Sequence, residues 1–120
     1  MAMKILLLGL KHEVVEEVRS KVNARGSTIF TATGVEEAGE VLGRERIDAV
    51  IMGGGLPLET RLEVVREVFR ISDSTTVHMK DVASGPEGYL PFVESLLAGL
   101  SNAARADEAN CTRRVTHRQP

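Results

Sequence analysis

Asp48-Ala49-Val50-Ile51-Met52-Gly53-Gly54-Gly55-Leu56-Pro57 decides the fold of this chain. From Ala49 to Met52 every side chain is apolar, the pattern of a parallel strand covered on both faces. Three glycines and Leu56-Pro57 end it abruptly. Directly beyond, from Glu59 to Ile71, apolar residues recur at helical spacing. Leu62, Val65, Val68 and Phe69 read as the inward stripe, with Glu63 and Arg66, and Glu67 and Arg70, spaced to pair across one turn. A buried strand running straight into an amphipathic helix is half of a βαβ unit.

The same alternation continues in both directions. Upstream, Ile5-Leu6-Leu7-Leu8 is a second continuous apolar run, ended by Gly9. Val14, Val15, Val18 and Val22 then predict a helix whose other face carries Glu16, Glu17, Arg19 and Lys21, with Arg25-Gly26 as its stop. Ser27 to Thr31 is short and β-branched, a strand nearer the sheet edge. Thr33, with Glu36 three residues on, is the expected cap of a helix carrying Val35, Ala38, Val41 and Leu42. Downstream, Thr75 to Met79 reads as a fourth strand and Lys80 to Gly88 as a loop. Val93, Leu96, Leu97 and Leu100 form the last helical face, with Pro91 in its first turn. The order predicts an α/β fold: a doubly wound parallel sheet of four to five strands in a three-layer α/β/α arrangement. The domain is expected over residues 1–100. Apolar periodicity ceases at Ser101, which predicts a disordered polar tail over 101–120.

Composition limits the function classes. The chain of 120 residues is 42% hydrophobic and 27% charged, values of a soluble globular domain, and with 3% aromatic residues its core must be aliphatic. A formal charge of −2 and the absence of a basic stripe interleaved with aromatic residues argue against nucleic acid as a partner. No apolar run is long enough to span a bilayer and no signal peptide is evident. The lone Cys111 allows neither an intrachain disulfide nor a cysteine zinc site, which suits a cytoplasmic location. No metal or cofactor is expected.

The segment from Asp48 to Pro57 resembles the third strand and following turn of response-regulator receiver domains, which have a flavodoxin-like fold. In that family an acidic phosphoacceptor ends the strand and a proline stands four residues later; Pro57 matches the proline, and the phosphoacceptor position falls on Gly53. Gly88-Tyr89-Leu90-Pro91-Phe92 is similar to a shortened version of the family's last strand and turn, without its lysine. The acidic pair expected after the first strand is replaced by Gly9-Leu10. The resemblance implies a degenerate receiver. An acyl-phosphate needs a carboxylate nucleophile and clustered acids for a divalent metal, and Gly53, Gly9 and Leu10 supply neither.

In open α/β sheets ligands bind at the carboxyl ends of the strands where strand order reverses, here expected between the first and third strands. Gly9, Leu10, Lys11 and His12 from the first loop and Gly53, Gly54 and Gly55 from the third would line that crevice. One reading is an anion or phosphate pocket with Lys11 and Arg61 as counter-charges; the other is a tight strand-to-helix turn, since the glycines match neither the Walker nor the dinucleotide fingerprint. His78, with Lys80 and Asp81 just beyond, could act as a general base, but no nucleophile elbow or metal-ligand spacing accompanies it. Val64 and Ile71, seven residues apart and off the inward stripe, are candidates for an exposed interaction patch. The chain is therefore expected to be a non-phosphorylatable receiver-like module binding another protein or a second copy of itself. The alternative is a small-ligand domain or enzyme built on the glycine loop with Lys11, His12, His78 and Lys80.

Overall fold

The computed structural model describes residues 3–82 and 85–111, with side-chain environments through residue 100 except at position 86. Four strands, β1 (Lys4–Leu8), β2 (Thr28–Ala32), β3 (Ala49–Met52) and β4 (Thr76–Met79), form one all-parallel sheet in the order β2-β1-β3-β4. They alternate with α1 (His12–Lys21), α2 (Val35–Arg44) and α3 (Leu58–Ile71); a 3-10 turn, Pro86–Gly88, leads into α4 (Tyr89–Cys111). The fold is α/β and flavodoxin-like, with helices on both faces of the sheet.

Strand alternation divides the core into two layers. Leu6, Leu8, Val50 and Met52 point to one face, where Ala38, Val41 and Leu42 of α2 and Val64 and Val68 of α3 cover them. Ile5, Leu7, Ala49 and Ile51 point to the other, under Val15 and Val18 of α1 and Tyr89, Val93 and Leu97 of α4. Burial on both faces explains why β1 and β3 are written as unbroken aliphatic runs. Each fully buried Leu, Ile or Val contributes about 1.5–3 kcal/mol of transfer free energy. The polar groups within the core are satisfied: the buried Thr75 hydroxyl donates to the Ile47 carbonyl at 2.6 Å. No helix among the described residues is long and apolar enough to cross a membrane.

The helix boundaries differ in detail from the sequence expectations. Helix α1 ends at Lys21, and Arg25-Gly26 instead forms the centre of a separate turn, both residues at positive φ (54° and 83°), closed by Ser27 N–H donating to the Ala24 carbonyl. Helix α2 is entered through Gly34 rather than capped by Thr33. The Glu37 carboxylate accepts from both the backbone N–H and the hydroxyl of Thr33, so the reciprocal pairing expected with Glu36 is shifted by one residue. Helix α4 continues to Cys111, eleven residues beyond the expected boundary at Leu100. Ala103, Ala104, Ala106 and Ala109 favour helical backbone without needing an apolar face. The remainder of the expected disordered tail, residues 112–120 with its arginines, lies outside the described residues.

Helix α3 is rotated relative to its expected phase. Val64 and Val68 are fully buried against the sheet and α2, whereas Leu62 and Phe69 are 45% and 54% exposed. Val64 is therefore core and not part of an interaction patch, while Ile71 is exposed as expected.

Candidate functional site

Strand order reverses between β1 and β3, and a cavity of about 280 Å³ opens at their carboxyl ends. It brings together Gly9, Leu10 and Lys11 from the β1–α1 loop, Gly53, Gly54 and Gly55 from the β3–α3 loop, and Lys80 from the end of β4, as the sequence pattern anticipates. Val14, Val82, Gly85 and Tyr89 complete its lining. Positions 83 and 84 of the loop expected over Lys80 to Gly88 lie outside the described residues.

The two histidines do not converge on this cavity. His12 is exposed on the first turn of α1. It lies near Glu37 and Glu16, whose carboxyls are held below the usual range chiefly by hydrogen bonds from Thr33 and from Thr31 respectively. His78 Nε2 lies 3.0 Å from the Thr76 hydroxyl, and partial burial holds its imidazole below the usual range. The ring nitrogen described here meets a hydroxyl, whereas a general base of the usual kind is oriented by a carboxylate. Asp81 is exposed beside the cavity and does not line it. Arg61, the expected second counter-charge, donates from Nε to the Leu56 carbonyl at 3.1 Å and braces the start of α3. Among the described residues no group of three or more His, Cys, Asp or Glu could hold a metal ion.

Tyr89 dominates the floor of the crevice. The first residue of α4, it is 3% exposed, and its hydroxyl donates between the carbonyls of Leu8 at 2.8 Å and Ile51 at 3.0 Å. Burial pushes its phenol far above the ordinary range, so it remains a neutral donor. A Cβ at position 53 would lie 3.4 Å from Tyr89 Cε2. The ring thus occupies the space into which a side chain at the phosphoacceptor position would project.

Gly9 and Gly54 have packing explanations. A Cβ at Gly9 would stand 2.6 Å from Val15 Cγ1, and one at Gly54 would stand 2.6 Å from the Asp81 carbonyl oxygen, because the chain leaving β4 passes directly over that loop. These contacts require the absence of a side chain whether or not an anion ever binds. The cavity does retain one buried cation: Lys80 is 4% exposed, and its ammonium donates to the Asp81 carbonyl at 2.9 Å.

A second surface lies on the outer side of α3. Leu58, Leu62, Val65 and Phe69 follow a spacing of four, three and four residues, which places them on one stripe of the helix. Leu58 is 58% exposed, Val65 is partly buried, and Leu62 and Phe69 are as described above. The stripe flanks β4, whose outer edge has no strand partner among the described residues. Val77 packs with the α3 layer, and by alternation Met79 points to the same side, 42% exposed. At the amino end of the sheet, Phe69 and Ile71 border a wider hollow of about 570 Å³ whose other walls are mainly polar and charged. The sequence reading missed Tyr89, the only tyrosine of the chain, and misassigned Leu62 and Phe69 of α3 as core.

No protein-family model matches the chain. No curated protein matches it either. A solved structure described as a yeast Spc42 trimeric coiled-coil segment fused to another structure superposes with a TM-score of 0.58, over 95% of this chain and 87% of its own, at 16% sequence identity. At that identity the likeness concerns the fold alone.

Proposed function

We propose that this chain is a receiver-like regulatory module without a phosphorylation switch, working by protein–protein interaction through the outer face of α3 and the edge of β4. The observation that carries this reading is the exposed stripe Leu58, Leu62 and Phe69 beside a strand edge that has no strand partner among the described residues, at the side of the sheet where a longer doubly wound fold would place another strand and helix. The crevice supports the same reading: Gly53 offers no nucleophile, Gly9 and Leu10 offer no metal ligands, and the Tyr89 ring lies over the position where a phosphoryl group would be carried. Signalling in a reducing, cytoplasmic compartment is the setting this implies.

A photo-crosslinking residue at Leu62, compared with one at the exposed Glu13 of α1, tests this reading in cells expressing the chain. Adducts at Leu62 and none at Glu13 are expected. Equal or absent labelling at Leu62 contradicts it. A second reading, binding of a small anionic ligand, rests on the buried Lys80 ammonium and on Lys11 at the remaining cavity. NMR titration with a panel of small carboxylates and phosphates tests it, with saturable shifts at Gly54, Gly55 and Lys80 as the supporting result.

A further inference from the structure

From the charge pattern of α3 we infer that the occupant of this face is a second copy of the same chain, with the two α3 helices antiparallel about a two-fold axis; this rests on the reading of the α3–β4 side as the working surface. The apolar stripe from Leu58 to Phe69 runs about 16 Å along the helix, roughly three turns. Bordering it on the side away from the sheet, Glu59 stands in the amino-terminal half, and Arg66, with Arg70 a turn further on, in the carboxyl-terminal half. A helix acidic at one end and basic at the other is complementary to itself only when inverted.

Antiparallel alignment sets Leu58 of one copy opposite Phe69 of the other, and Leu62 opposite Val65. The same alignment brings Glu59 of one copy beside Arg66 of the other along this border. Glu59 and Arg66 are exposed and have no ion-pair partner among the described residues, so both are available for this contact. Arg70 already shares Glu67 at 2.7 Å, which leaves Glu59 with Arg66 as the pair that decides the match. A parallel two-fold would instead put the two charged borders on opposite sides of the contact, so that Glu59 and Arg66 do not meet. The two-fold also sets the two β4 edges on the same side as the helices, with Val77 and Met79 of each copy extending the apolar contact. An isologous contact of this kind closes after two copies and does not propagate.

Sedimentation of the full chain across a concentration series, with wild type and four variants, tests the inference. The wild type is expected to dimerise and Leu62→Glu to be monomeric at the same concentrations. Each contact occurs twice across the axis, so Glu59→Arg or Arg66→Glu alone is expected to weaken the dimer roughly tenfold, and the double reversal to restore it. These three positions are exposed on the surface of the helix, and far-ultraviolet circular dichroism confirms that each variant is folded. A chain that stays monomeric at millimolar concentration overturns the inference; if Leu62 then cross-links to a different protein, the proposed working surface stands with another occupant. A dimer indifferent to all four variants overturns both the inference and the assignment of the surface. A dimer weakened by each single reversal but not restored by the double also overturns the antiparallel pairing.

Discussion

Removing a single oxygen from Tyr89 tests how the crevice is closed. In Tyr89→Phe the ring still covers Gly53, but the hydroxyl that donates toward the Leu8 and Ile51 carbonyls is lost. The Leu8 carbonyl keeps its bond from the Gly53 N–H at 2.9 Å, so the penalty is that of one buried hydrogen bond and not of an orphaned acceptor pair. That sets the expected loss at about 1–1.5 kcal/mol. For a domain near 100 residues this corresponds to a fall in Tm of roughly 4–10 °C. Tyr89→Ala removes the ring as well, and its cost of about 3–5 kcal/mol separates the ring's share from the hydroxyl's. Gly53→Ala provides the cross-check. Its Cβ touches the ring edge at 3.4 Å in the wild type but would meet open space in Tyr89→Ala, so the two substitutions should couple by about 0.5–1 kcal/mol. Urea unfolding of the wild type, the three single variants and the Gly53→Ala/Tyr89→Ala double variant supplies every term. A Tyr89→Phe variant as stable as the wild type, together with strictly additive double-mutant behaviour, would refute the account of Tyr89 as the plug of the crevice.

Other perturbations have signs that follow from particular residues. Arg25 sits at φ 54° before Gly26 in a tight turn, so Arg25→Asn, which favours that conformation, is expected to raise stability by about 0.5–1 kcal/mol in thermal unfolding. Val64 is fully buried, and Val64→Ala should cost about 2–3 kcal/mol in urea unfolding, whereas Leu62→Ala on the exposed stripe should cost far less. The His78 imidazole is held below its ordinary value of 6.5 by burial, so the unfolded chain takes up this proton first as pH falls. Its contribution is present above pH 6.5 and lost on descent through the lower folded value; His78→Gln should therefore flatten the decline of stability just below pH 6.5, and a difference from wild type that does not change with pH contradicts this.

The sheet was legible in the sequence because β1 and β3 are central strands whose every side chain is buried. Ile5 to Leu8 and Ala49 to Met52 can have no other reading once helices flank them. The crevice was legible for the same topological reason: Gly9, Lys11, Gly53 to Gly55 and Lys80 all stand at strand ends that the parallel order must bring together. What sequence spacing misplaced was the phase of α3. Leu62 and Phe69 are larger than Val64 and share helical spacing with Val65 and Val68, so an argument from periodicity alone turns them inward in its place. The sheet stops at β4, however, and the helix seats its smaller valines against α2 and β3 while the larger residues remain outside. Tyr89 was missed for a related reason: its role depends on where α4 starts relative to β1 and β3, and no local pattern carries a contact spanning 81 residues of sequence.

The most direct test of a receiver-like module without a phosphate switch is the amide NMR spectrum of the full chain titrated with beryllofluoride and magnesium, followed by mass spectrometry after incubation with acetyl phosphate. The account predicts unchanged resonances for Gly9, Gly53, Gly54 and Lys80 and no added phosphoryl group, because position 53 has no carboxylate and the Tyr89 ring fills the space beside it. Saturable shifts centred on Gly53, or a phosphoryl group that maps to the loop between β3 and α3, would contradict it.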